Sequence, residues 1–326
     1  MRIGLIDVDS SNFPNLALMK LSAWHKQNGD DVEWYSHFAD RYDIVYKSKV
    51  FSFSPDFNEV INADKVVKGG TGYDIRLVNG REVFTPSAPL PKEVEHIMPD
   101  YSLYGITDTA YGFLSRGCPR GCSFCHVAPK GGKKAYKVAD LSEFWNGQKN
   151  IVLCDPNILA CPQHEDLLQQ LADSKTWVDL NQGLDIRLIT ERKIELLNKL
   201  KIKEIHFAWD NYHDKDIVLP KFKLYSELGK FKPHSHNAIV YVLTNFNSTV
   251  EQDLERIYTL RELGYWRISW SMTSNIVRQS TSNCNVGVIT DSSILNVHDL
   301  RTTTDERNTQ STKTNYHYRY ENKIIH

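Results

Sequence analysis

From Tyr111 to Trp266 the sequence repeats one unit, a short apolar β-prone run followed by a segment with helical spacing. This alternation constrains the fold more than any other feature. Strands are expected at Gly112–Ser115, Ile151–Cys154, Trp177–Asn181, Glu204–Trp209 and Ala238–Leu243, with a last one beginning near Trp266. Helices are expected at Val138–Trp145, His164–Ala172, Glu191–Leu200, Lys215–Leu228 and Thr249–Leu263. The last of these carries Leu254, Ile257, Tyr258, Leu260 and Arg261 as an amphipathic stripe. Strands that alternate with helices through short connections form parallel sheets, because each crossover must return the chain to the same sheet end. The run of such steps predicts an α/β fold with a partial (β/α)6 barrel rather than an open sheet.

The loop after the first of these strands carries the chemistry. Gly117-Cys118-Pro119-Arg120-Gly121-Cys122-Ser123-Phe124-Cys125 sets three cysteines in a C-x-x-x-C-x-x-C array. Gly117, Pro119 and Gly121 let the backbone curl so that the sulfurs face one point. Packing does not explain thiols this close together. Iron–sulfur clusters usually take four thiolates, so a compact set of three leaves one iron open to another ligand. Two other readings stand beside this one: a structural zinc site built from Cys118, Cys122, Cys125 and His126, and a plain electron-transfer cluster. Zinc sites favour two separated knuckles, and adjacent Cys-His ligands fit a tetrahedron poorly. With six cysteines and no secretory signal pattern, metal binding or catalysis is favoured over disulfides.

Three cysteines at this spacing, with Phe124 just before the last, resemble the signature of the radical SAM superfamily. The resemblance implies a [4Fe-4S] cluster held by Cys118, Cys122 and Cys125, with S-adenosyl-L-methionine chelated at the open iron. It implies reductive cleavage of the sulfonium to a 5′-deoxyadenosyl radical, with a flavodoxin or ferredoxin as reductant and an unknown substrate. It also implies a curved barrel with its chemistry at the C-terminal strand ends. Polar residues follow the strands there: Asp155-Pro156-Asn157, then Asn181-Gln182-Gly183-Leu184-Asp185-Ile186-Arg187, then Asp210-Asn211 and Thr244-Asn245. In the family such positions bind the nucleotide, which makes Phe124, Asp155, Asn157, Gln182, Asp185 and Arg187 candidate cofactor-binding residues. Asp155 is placed on the ammonium, Gln182 and Asp185 on ribose or substrate, and Arg187 on the carboxylate. The alternative for each is a strand-end cap or an internal salt bridge, with Asp185 and Arg187 simply paired.

Residues 1–100 are expected to form a small doubly wound, Rossmann-like domain. Arg2–Val8, Val32–Tyr35, Ile44–Tyr46 and Lys65–Val67 are its strand candidates, and Pro14–Asn28 is a helix ended by Gly29. This module resembles the cobalamin-binding domain that precedes many radical SAM barrels. The Asp-x-His-x-x-Gly motif of that domain would fall on Asp7-Val8-Asp9-Ser10-Ser11-Asn12. Asp9 replaces the histidine and Asn12 the glycine, so cobalamin is not expected. Gly69-Gly70-Thr71-Gly72 reads as a turn rather than a phosphate cradle, because no helix follows in the pattern. Pro86, Pro89, Pro91 and Pro99 break up the connector, and Tyr101, Tyr104 and Tyr111 are expected to fill the seam between domains.

The remaining features narrow the function classes. A chain of 326 residues with 41% hydrophobic and 24% charged residues has room for two globular domains. A net charge of -1 gives no global pull toward nucleic acid or membrane, and no apolar run has the length of a membrane span. A cytoplasmic protein is expected. The basic stretch Lys130-Gly131-Gly132-Lys133-Lys134 reads as a solvated loop, with RNA contact as the alternative. Cys154 is expected in the core. Cys161 lies in a loop, and too few cysteines remain for a second cluster. From 267 to 326 the chain is rich in Ser, Thr and Asn with weak periodicity. One reading is an irregular tail. The other is a frameshift near 267: Arg267–Asn275 can be encoded by nucleotides that read P-Y-I-M-V-Y-D-K-Q in the neighbouring frame, which would remove the last strand and a C-terminal helix. Taken together, the expected activity is that of a radical SAM enzyme. The alternatives from other classes are a non-catalytic zinc or Fe-S scaffold and an RNA-binding module.

Overall fold

The computed structural model describes residues 1–10, 13–78, 81–85 and 89–271. The chain begins with β1 (Arg2–Asp7), α1 (Leu16–Gln27), β2 (Asp31–Trp34), β3 (Tyr42–Ser48) and β4 (Ala63–Gly69). These strands form a parallel sheet in the order β2-β1-β3-β4. Asn15 caps α1 by accepting from the Leu18 amide, and Gly29 turns the chain out of it at φ +78°. Ile3 and Leu5 bury against Leu18 and Leu21 of α1. Each such apolar side chain contributes about 1.5–3 kcal/mol. The opposite face carries Ile6, Tyr42 and Val45, covered by Tyr35, Phe57 and Ile61 from loops. The doubly wound expectation is therefore met on one face only. Segments 35–41 and 49–62 hold no helix, because neither has apolar residues on a 3.6-residue period.

After β4 the chain makes one helical turn, α2 (Thr71–Asp74), then a hairpin of β5 (Ile75–Val78) and β6 (Arg81–Phe84), and the short α3 (Lys92–Glu95). The glycines before α2 answer a steric demand. A Cβ on Gly70 would meet the Lys49 carbonyl oxygen at 2.3 Å, at φ +101°. The tyrosines expected to fill the seam make specific hydrogen bonds. Tyr101 donates to the Phe144 carbonyl at 2.5 Å and accepts from the Tyr111 amide, and Tyr104 donates to Asp7 Oδ2 at 2.5 Å.

The larger sheet contains β7 (Thr109–Gly112), β10 (Asn150–Leu153), β11 (Trp177–Leu184), β12 (Lys201–Ala208), β13 (Ala238–Thr244) and β14 (Trp266–Ser271). All six are parallel, in the order β14-β13-β12-β11-β10-β7. Between β7 and β10 lie two two-residue strands, β8 (Ser115–Arg116) and β9 (Tyr136–Lys137), and the helix α4 (Val127–Gly131). The crossovers are α5 (His164–Asp173), α6 (Glu191–Leu197), α7 (Lys215–Leu228) and α8 (Val250–Glu262). A monotonic strand order with right-handed crossovers keeps the helices on one side. Accordingly Leu167, Leu197, Phe222 and Leu260 share one core with Val178, Leu180, Ile205, Phe207, Val240 and Val242. By the two-residue period of a strand, Asp179, Asn181, His206 and Tyr241 look to the opposite face.

Two expectations are corrected here. Val138–Trp145 is no α-helix; it holds a single 3-10 turn at Leu141–Glu143 with an Asp140/Glu143 capping box. Leu141 and Phe144 both bury, and the Trp145 indole donates to the Gln148 carbonyl, which closes the turn early. The strand expected to begin near Trp266 is present, which overturns the alternative in which it is lost. β14 runs to Ser271 and pairs with β13 from Ile239↔Trp266 to Thr244↔Ser271. Ladder hydrogen bonds come from the backbone, so this sequence needs little more than freedom from Pro and Gly to add an edge strand. The rest of the tail, with Cys284 and the frame question, lies outside the described residues.

Candidate functional site

The cysteine loop hangs from the end of β7. Its base is closed by β8 and β9, which pair antiparallel as Ser115↔Lys137 and Arg116↔Tyr136. Asp155, at the end of β10, fixes the entry. Its Oδ1 accepts from the Leu114 amide at 2.7 Å, and its Oδ2 from the Ser115 amide and hydroxyl at 2.5 Å each. Gly117 then takes φ +81°, where a Cβ would lie 2.1 Å from the Lys134 carbonyl oxygen. The Cys118 amide donates to the Gly132 carbonyl at 3.1 Å, so the loop folds back on its own far end.

The three thiols sit half-buried in this loop. Burial, then the neighbouring Cys125, pushes the Cys122 thiol up; burial also pushes Cys125 up, with Cys118 adding to it. The Val127 amide lies 3.5 Å from the Cys125 sulfur as a donor.

Loops from the ends of four further strands close on this one. After β10, Asn157 donates to the Cys118 sulfur at 3.5 Å; its Oδ1 is buried with no hydrogen-bond partner among the described residues. After β11, Asp185 accepts from Arg120 of the cysteine loop. Asp185 also takes the Arg187 Nε at 2.7 Å, and Arg187 Nη1 reaches Asp214 at 2.8 Å. After β12, burial pushes the Asp210 carboxyl up to about 6, against the pull of Arg256 and Arg187, and its charge is felt by Cys122 and Cys125. After β13, Phe246 meets Phe124 edge to face with ring centroids 5.5 Å apart.

The candidate residues thus divide. Phe124, Asn157, Asp185 and Arg187 come together with the cysteines at one mouth. Asp155 does not face it. It is 4% exposed with both oxygens committed, so it acts as a strand-end clamp on the loop rather than a ligand for an ammonium. Asp185 and Arg187 pair with each other, the alternative weighed for them. Gln182 is half-buried within β11, which continues through it to Leu184 instead of ending at Asn181. Cys154 is buried, with its thiol pushed up to about 12 by burial, and Cys161 is buried against Gln163 Oε1 at 3.3 Å. Lys130 of the basic stretch donates to Thr71 at 2.5 Å. Asp9, at the position of the cobalamin histidine, accepts the amides of Val50 and Phe51 at 2.7 and 2.9 Å and so holds the turn after β3.

Sequence reasoning missed the scaffold behind the mouth. Arg256 of α8 is fully buried and donates to the carbonyls of Trp209 at 2.6 Å and Leu243 at 2.8 Å, tying the ends of β12 and β13 together. Asp253 accepts from it at 2.5 Å and from the Asn245 amide at 2.8 Å. The signal was an Asp-x-x-Arg pair on the same helical face as Ile257 and Leu260. Neither a scan of protein-family models nor a search of curated proteins returns a match to this chain.

Proposed function

We propose that the protein is a radical SAM enzyme whose [4Fe-4S] cluster is held by Cys118, Cys122 and Cys125. The observation that carries the reading is the convergence of the cysteine loop with four other strand-end loops at one end of a parallel sheet. That is where α/β folds of this layout hold their chemistry. The finer architecture proposed with it is a partial (β/α)6 barrel, since a monotonic sheet with its helices on one face curves around the other. The donor set fits the group. A set of three thiolates leaves one iron of a cluster open, whereas a structural zinc site takes four protein ligands. A cluster distributes its thiolates over separate irons. The set of three therefore favours the cluster over the zinc scaffold.

Bound there, such a cluster would supply the electron that cleaves the sulfonium of S-adenosyl-L-methionine to methionine and a 5′-deoxyadenosyl radical. The chain's own residues hold and tune the site. Asn157 places an amide donor on one thiolate, and hydrogen bonds to sulfur set the potential of such centres. Arg120, Asp185 and Arg187 form a charged rim over the loop. Gln182 and the Phe124–Phe246 pair are assigned to the nucleotide. The reductant is assigned to the flavodoxin or ferredoxin class. No cobalamin is assigned, because Asp9 is committed to backbone amides. Among the described residues no helix is long and apolar enough to cross a membrane. A cytoplasmic enzyme is the corresponding proposal.

The test is anaerobic reconstitution with iron and sulfide, followed by reduction with S-adenosyl-L-methionine present and assay of 5′-deoxyadenosine. Cluster absorption and deoxyadenosine, both lost in Cys122→Ala, are expected. Stoichiometric zinc with no cluster would refute the reading.

A further inference from the structure

A second constellation of ligating side chains lies within the larger sheet, on the face turned away from the helices. Asp179 of β11 and Glu204 and His206 of β12 bring one carboxylate oxygen each and an imidazole nitrogen within 4.8 Å of one another. The sheet builds this meeting with a defect. Val178 pairs with Ile202, but Asp179 pairs with Glu204, so a bulge at Lys203 shifts the register by one residue. Without it Asp179 would oppose Lys203. Bulges of this kind re-aim side chains at functional positions.

His206 is prepared in the way metal-bound histidines are. Its Nδ1 lies 2.8 Å from the Asn181 carbonyl oxygen, and a carbonyl only accepts, so Nδ1 carries the proton. When the ring is a metal ligand its lone pair is then on Nε2, which is buried and has no hydrogen-bond partner among the described residues. Nε2 lies 3.4 Å from Glu204 Oε2. An ion about 2.1 Å from each of two ligands holds them about 3.0 Å apart at an octahedral right angle and about 3.4 Å apart in a tetrahedron. A backbone carbonyl on the second ring nitrogen is the usual outer-shell partner of a ligating histidine. The residue itself is 1% exposed, and the Tyr241 ring stands over it with centroids 5.5 Å apart.

We infer that Asp179, Glu204 and His206 form a binding site for a divalent first-row transition ion, distinct from the cysteine loop. One imidazole and two carboxylates suit Mn2+ and its neighbours, which prefer oxygen and nitrogen donors to thiolates. The site stands on its own residues and does not depend on the reading of the cysteines.

Mn2+ is the probe, because it binds thiols poorly. The full chain, without reconstitution, is titrated with Mn2+; electron paramagnetic resonance reads the unbound ion and thermal melting reads its effect on the fold. One ion per chain is expected, with a melting temperature that rises with Mn2+. Cys122→Ser leaves both unchanged. His206→Gln and Glu204→Gln weaken binding at least about tenfold, the scale on which even outer partners of metal ligands act. Glu204 is only partly buried, so Glu204→Gln decides the matter if His206→Gln does not fold. No saturable Mn2+ binding, or binding unaltered in the Glu204→Gln protein, overturns the inference. So does an ion lost in Cys122→Ser and kept in Glu204→Gln, which places it at the thiols. A chain that binds Mn2+ as expected yet assembles no cluster would keep this inference and remove the radical SAM reading.

Discussion

Asn157 donates its side-chain amide to the sulfur of Cys118 across 3.5 Å, joining the loop after β10 to the loop after β7. Asn157 is itself 2% exposed, so the donor is held away from water and its dipole acts at full strength on the sulfur. Nothing else in the sequence around Asn157 announces the contact, since 39 residues separate the two.

Removing that donor should shift the potential of the reconstituted centre. A hydrogen bond to sulfur stabilises the more negative, reduced form, so Asn157→Ala is expected to lower the reduction potential while iron content stays the same. A spectroelectrochemical titration of wild type and variant checks this. Equal potentials would show that the amide only fills space.

Two glycines of the cysteine loop should respond differently to alanine. At Gly117 a Cβ would collide with the Lys134 carbonyl, whereas at Gly121, φ +63°, nothing lies within 4 Å. Gly121→Ala meets only the left-handed backbone penalty of about 1 kcal/mol. Gly117→Ala adds a backbone clash and is expected to cost more than about 2 kcal/mol and to abolish iron uptake. Thermal melts and iron assays on the two proteins separate these outcomes; equal losses would contradict the loop geometry.

Arg256 should be worth far more than its charge suggests. Arg256→Met releases two strand-end carbonyls and leaves Asp253 buried without its cation, for an expected loss of about 3–5 kcal/mol. Adding Asp253→Asn should recover part of it, because the two side chains share one network. Urea unfolding of both single variants and the double variant measures the coupling, and simple additivity would show the pair to be independent.

Asp155 should give the fold a pH slope. Burial is the largest cause raising its carboxyl to about 7, against the hydrogen bonds of Ser115 and Leu114. The unfolded chain releases this proton near 4. Between those values the folded state holds more protons, so this group's stabilisation is full below about pH 4, falls as pH rises to about 7, and is flat above. Asp155→Asn should remove that slope, seen as a smaller difference between unfolding free energies at pH 5 and pH 8. A slope unchanged in the variant would assign it to other groups.

Much of the fold is legible in the sequence. The strand–helix alternation gave the parallel sheet because the two periods, 2 and 3.6, are local properties of the chain. Helix ends were readable where a cap or glycine marked them, as at Gly29. The spacing of Cys118, Cys122 and Cys125 was equally plain. Val138–Trp145 misled because an apolar pair and a capping box satisfy a 3-10 turn as well as a helix. At β14 the strand expected near Trp266 is met, and only its run on through Ser271 escaped the weak pattern after 267, since an edge strand draws its bonds from the backbone of its neighbour.

Sequence by itself determined the element types, the order in which they follow one another and the residue types available at each strand end. Only the tertiary structure decided which of those polar groups meet. Asp155 turned inward to hold Leu114 and Ser115, while Asn157, two residues later, reached Cys118. Arg120 found Asp185 across 65 residues, and a one-residue bulge set Asp179 opposite Glu204. Contacts of this kind depend on register, crossover and the direction of single side chains. Those are fixed when the whole core closes, and no local stretch of sequence encodes them.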